Sequence, residues 1–175
     1  PFKFDLTKDK QFTLSKESIE IAKEIQDEVN IIVFEKESVF SNPGFGNELD
    51  TIFRQFYEAC KQYNLHSGGK VKVTYLDAAA NPAEAAKYEK YSPKANESVL
   101  FLSGNRSSVV DIYDFFTFDQ QLFQFYGIVD NVQSLVEKTI ATNIRKVAGD
   151  LQPAIIFTGH GEREAVIQEV TRVLD

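Results

Sequence analysis

The sequence predicts a mixed α/β fold, and three observations carry that reading. Short apolar runs of strand character, Asn30-Ile31-Ile32-Val33-Phe34, Val71–Leu76 and Ser98–Leu102, alternate with segments of helical periodicity. A tight-turn pair, Gly104-Asn105, separates the last of these runs from another strand-like stretch, Ser107–Tyr113. The 175 residues include 15 Phe and 7 Tyr and are 43% hydrophobic, enough to bury a core without disulfide or metal staples.

Taken in order, Pro1–Leu14 is mixed and polar, and Ser15 then offers an N-cap with an acid, Glu17, in the first turn. Ile19, Ala22, Ile25 and Val29 recur at helical spacing and predict a helix that runs into the Asn30–Phe34 strand. That strand is apolar throughout, the mark of a central strand covered on both faces. Glu35–Asn47, with Asn42-Pro43-Gly44, reads as a loop. Leu49, Ile52, Phe53, Phe56, Tyr57 and Cys60 then form an unbroken helical stripe, which His66-Ser67-Gly68-Gly69 ends. After the Val71–Leu76 strand come Asp77, a turn with Asn81-Pro82, and a short helix over Glu84–Tyr88. The hairpin follows. Asp130 is placed to cap a long helix carrying Val132, Leu135, Val136, Ile140, Ile144 and Val147, with Gly149 as its stop. Ala154–Phe157 and Glu162–Leu174 predict one further strand and helix.

The order β-α-β-α-hairpin-α is that of a thioredoxin-like mixed sheet, here with an added N-terminal helix. Residues 1–149 are expected to form this domain. Residues 150–175 are expected to be the first β-α unit of a second α/β domain, with packing onto the first sheet as the alternative.

Composition removes several function classes. One cysteine, Cys60, allows no intramolecular disulfide, and with only His66 and His160 there is no Cys/His cluster for zinc. No metal or cofactor is expected. A net charge of −7 argues against nucleic acid, whose affinity rests on clustered Lys and Arg. No apolar run reaches the roughly 20 residues that span a bilayer, and nothing at the start reads as a signal peptide. Because the sequence opens at Pro1 and holds no methionine, the native chain is expected to extend beyond its N-terminus.

A thioredoxin-like oxidoreductase needs a thiolate at the start of the first helix after the strand, and Glu35–Glu48 has none. Nor does a proline stand directly before Ser98; Pro93 is several residues too early. Cys60, on an apolar stripe, reads as a buried inert thiol. His66 reads as an exposed loop histidine. Thr158-Gly159-His160-Gly161-Glu162 follows a strand and precedes a helix, where ligands gather and glycines let the backbone come close to a bound group. A structural turn is the first reading of it; a ligand site at Gly159, His160, Gly161 and Glu162 is the second. The densest aromatic feature is Phe115, Phe116, Phe118, Phe123, Phe125 and Tyr126. Satellite core is the ordinary reading of such a segment, and a partner-binding surface is the alternative.

Specific residues also resemble a family. Phe4-Asp5-Leu6-Thr7-Lys8-Asp9-Lys10 with Thr13-Leu14-Ser15, then Thr74-Tyr75-Leu76-Asp77 with Asn81-Pro82 and Lys87-Tyr88, then the Ser98–Tyr113 hairpin and Phe157-Thr158-Gly159-His160-Gly161-Glu162, occur in the order seen in the GldG family. That family is the auxiliary component of gliding-motility-type ABC transport systems. The resemblance covers nearly the whole chain and departs from the family in the Phe-rich segment around Phe115–Tyr126. It implies an extracytoplasmic domain of a protein anchored in the cell membrane, with membrane helices before Pro1 and after a longer soluble region. It also implies ABC permease and ATPase subunits as partners, and carries no catalytic residues. The expectation is therefore a non-catalytic docking scaffold. The rival is a small-molecule domain, sugar-binding or hydrolytic, built on the Gly159-His160-Gly161 turn.

Overall fold

Ser15 caps the first helix as its residue type suggests: its hydroxyl accepts from the Ser18 N–H at 3.2 Å, and α1 spans Lys16–Glu24. The computed structural model describes residues 12–149. The opening motif Phe4–Lys10, the strand and helix expected after residue 150, and the domain boundary drawn there lie outside the described residues.

Helix α1 stops sooner than the spacing predicts. Val29 opens strand β1 (Val29–Val33) and pairs with Val71, while its N–H donates to the Lys70 carbonyl at 2.9 Å. A backbone group taken by a neighbouring strand cannot also serve a helix. Val29, Ile31, Ile32 and Val33 are all buried, as expected of a central strand.

The expected loop at Glu35–Asn47 contains a one-turn helix, α2 (Glu37–Ser41). Its cause is tertiary. Phe40 is buried, stacked on Phe53 at 5.1 Å and lying 5.1 Å from Phe56, so packing supplies what local propensity lacks. Helix α3 (Leu49–His66) turns Ile52, Phe53, Phe56, Ala59, Cys60 and Tyr63 inward. His66 falls in its last turn, half-buried, rather than in an exposed loop.

Strand β2 (Val71–Tyr75) leads to α4 (Pro82–Ala85), with Pro82 at the helix start, and the chain then tightens into a 3₁₀ turn over Ala86–Tyr91. Strands β3 (Ser98–Ser103) and β4 (Arg106–Asp111) form the hairpin, with Gly104 at φ +54°. Ile112 and Tyr113 leave the strand for a 3₁₀ turn, Ile112–Phe115, fixed by reciprocal bonds between Asp111 and Asp114.

Strand β5 (Phe116–Thr117), helix α5 (Gln120–Tyr126) and strand β6 (Gln133–Ser134) precede α6 (Val136–Ala148). Asp130 does not cap the last helix, which begins six residues later. Phe116 pairs with Ser134, and the Leu135 N–H donates to the Phe115 carbonyl at 2.8 Å, so the backbone before Val136 belongs to a ladder. Gly149 ends α6 at φ +75°.

The architecture is mixed α/β. The four-stranded sheet has the order β2-β1-β3-β4, with β1 and β2 parallel and the other two pairings antiparallel. One face packs its core against α1, α3 and α6. On the other, Ile32, Phe34, Leu76 and Leu100 are covered by Ala85, Tyr88 and Tyr91.

Candidate functional site

Parallel pairing of β1 and β2 brings their C-terminal ends side by side, the place where open α/β sheets collect ligands. Residues far apart in sequence meet there. Lys36 Nζ lies 3.6 Å from Asp77 Oδ2, and Asp77 is held by its own turn, where Oδ1 accepts from the Ala79 and Ala80 N–H groups at 3.1 Å. Tyr57 donates its hydroxyl to Glu37 Oε1 at 2.9 Å, and that bond, followed by burial, raises the phenol above its ordinary range. A groove of about 1110 Å³ runs from this end along β2 and α3, lined among others by Lys36, Glu37, Tyr57, Tyr75, Asp77 and Asn81. The Tyr75 hydroxyl is shielded and has no hydrogen-bond partner among the described residues. Burial pushes its ionisation well up. The sequence reading missed this group, because nothing in the local pattern ties residue 36 to residue 77.

The turn between β1 and α2 reads Phe34-Glu35-Lys36, with no sulfur at the position that dithiol chemistry requires. Cys60 is 1% exposed, and burial in apolar surroundings pushes its thiol up, away from the thiolate needed for nucleophilic or redox work. Among the described residues no group of three His, Cys, Asp or Glu side chains is placed to hold a metal. No helix among them is long and apolar enough to cross a membrane.

The aromatic segment divides. Phe115 and Phe116 are buried, with the Phe115 ring edge-on to Phe56 at 4.9 Å, so they belong to the main core. Phe118 is half-buried and meets Phe123 edge-on at 5.4 Å. Phe123 is 49% exposed, Phe125 74% and Tyr126 72%. Asp119 sets up this display, its Oδ1 accepting from the Gln121 and Leu122 N–H groups at 2.9 and 3.0 Å. Gly127, at φ +67°, ends the helix. The structure therefore gathers Phe123, Phe125 and Tyr126 on one short helix and leaves Phe115 and Phe116 behind as support. Gly159, His160, Gly161 and Glu162 lie outside the described residues.

No curated protein and no solved structure matches the chain. Residues 8–114 match the model of a family described as a domain of unknown function (DUF7088), a span that holds all of the four-stranded sheet and stops just before Phe115. Since the match takes in more than half of the sequence, the chain belongs to the DUF7088 family.

Proposed function

We propose that this chain is a non-catalytic, extracytoplasmic domain of a membrane-anchored auxiliary component of an ABC-type transport system, of the gliding-motility type, and that it works as a docking scaffold for permease and ATPase subunits. The fold would be thioredoxin-like, and the sheet order β2-β1-β3-β4 with one parallel pair supports that reading. The observation that carries the proposal is a pairing of two features. The β1–α2 turn holds no thiol, and α5 displays Phe125 and Tyr126 to solvent. Large apolar side chains held outward on a capped helix suit recognition better than catalysis. The order of GldG-like motifs supplies the transport context. Fractionation of cells expressing the native protein, with protease added to intact cells, tests the placement. Recovery in membranes with external cleavage is expected; a free cytosolic protein would sink the proposal.

A second reading, a small-molecule domain, is favoured by the groove beside Lys36, Tyr75 and Asp77, although the Gly159-His160-Gly161 turn first associated with it lies elsewhere in the sequence. A thermal-shift screen of sugars, nucleotides and metals tests it, since a ligand that binds the native state raises the unfolding temperature. A hit abolished by Tyr75→Phe or Asp77→Asn would favour this reading over the scaffold.

A further inference from the structure

The segment Phe116–Ser134 forms a lobe rooted in the main core through Phe116, Phe118 and Val132. A two-stranded ladder closes its base, pairing Phe116 with Ser134 and Thr117 with Gln133, and the Asp119 N–H bonds the Asp130 carbonyl at 3.0 Å. Helix α5 sits at the tip, capped at both ends, and none of its residues is buried. Phe123 ties it to Phe118. That leaves Phe125, Tyr126 and Ile128, which is 53% exposed, pointing to solvent. With the exposed part of Phe123 these four residues leave roughly 500 Å² of largely apolar surface accessible around α5 and its C-terminus, over half of one side of a standard interface.

The charged residues that this segment itself carries have one sign. Between Arg106 and Lys138 the sequence holds Asp111, Asp114, Asp119, Asp130 and Glu137 and no Lys, Arg or His. The residue before α3 adds another acid to the lobe, because the Val132 N–H donates to Glu48 Oε2 at 3.0 Å. Among the described residues Asp114, Asp119, Asp130 and Glu48 form no ion pair. An anionic bilayer would be repelled. A second copy would be too, since a two-fold contact would place identical acids face to face.

We propose that this lobe docks a protein segment whose apolar side chains are flanked by lysine or arginine. The inference rests on the scaffold reading above and adds the chemistry of the partner. The apolar side chains would cover Phe125, Tyr126 and Ile128, and the cations would sit among Asp114, Asp119, Asp130 and Glu48, which form no ion pair among the described residues.

The test is calorimetric titration of the whole chain with a short amphipathic Leu/Lys peptide, a Leu/Glu peptide of the same length, and phosphatidylglycerol vesicles. The Leu/Lys peptide should bind, more weakly as salt rises. Phe125→Ser with Tyr126→Ser should weaken binding at least tenfold at an unchanged melting temperature. Asp130→Asn should blunt the salt dependence, and Leu65→Ser, on the 71%-exposed residue of α3, should change nothing. Equal binding of the Leu/Glu peptide, preference for vesicles, undiminished binding by the double variant, or no peptide binding at all would each overturn the proposal. Its failure is separable from that of the scaffold. If the double variant still retains permease and ATPase in native membranes, this surface falls and the scaffold stands; if the wild type retains neither, the scaffold falls whatever the peptides do.

Discussion

Two phenylalanines of identical chemistry should respond to truncation in opposite ways. Phe56, 2% exposed, stands between α2, α3 and the aromatic segment, with ring centroids 5.1 Å from Phe40 and 4.9 Å from Phe115. Phe125, 74% exposed, stands on α5. The space around Phe56 is already filled, with a void of only about 10 Å³ among Phe40, Phe53, Phe56, Phe115 and their neighbours. Phe56→Ala would therefore lose both the transfer energy of the ring and the contacts around the new cavity, about 3–5 kcal/mol. With a urea slope near 2 kcal/mol per molar, that moves the unfolding midpoint down by roughly 1.5–2.5 M. Phe125→Ala uncovers nothing and should stay within about 0.5 kcal/mol of the wild type. Urea unfolding followed by far-ultraviolet circular dichroism reads both. If Phe56→Ala moved the midpoint no further than Phe125→Ala, the division of the aromatic segment into core and surface would be wrong.

Three further outcomes follow from the same structure. Cys60 should react slowly with iodoacetamide in the folded chain and quickly in guanidinium; equal rates would refute its burial on α3. Gly149→Ala should cost about 1–2 kcal/mol in chemical denaturation, because φ is +75° and the new Cβ would run into the Arg106 guanidinium, which donates to the Ala148 carbonyl at 3.2 Å; an unchanged midpoint would contradict this close approach. The Glu28 carboxyl is held below its usual value of 4.5 by hydrogen bonds from Lys72 first and Asn30 second. Its contribution is thus present above pH 4.5 and lost as pH falls through the lower folded value. Glu28→Gln should flatten the acid limb of the stability profile slightly, and a steeper limb would contradict the assignment.

Local periodicity carried the parts of the fold that local forces determine. The α3 stripe from Leu49 to Cys60, the Ser15 cap, the Gly104 turn and the Gly149 stop are all settled within a few residues of themselves, and all were legible. What was not legible depends on distant partners. Val29 leaves helical spacing because Val71 claims it, α2 exists because Phe53 and Phe56 receive Phe40, and α6 starts late because Phe115 holds the Leu135 N–H. The same reason hid the groove: Lys36 and Asp77 face each other only through the parallel register of β1 and β2. Within the aromatic segment the useful signal was the pair of helix boundaries, Asp119 and Gly127, which separate the ladder residue Phe116 from the displayed residues Phe125 and Tyr126. Spacing of the aromatics alone does not make that division.

The central claim, a docking scaffold in a transport complex, is tested most directly by crosslinking the tagged native protein in its own membranes, purifying it and identifying by mass spectrometry what stays with it. The account predicts an ABC permease and ATPase, both lost or much reduced with Phe125→Ser and Tyr126→Ser combined. An intact, well-solubilised protein that retains neither would contradict it.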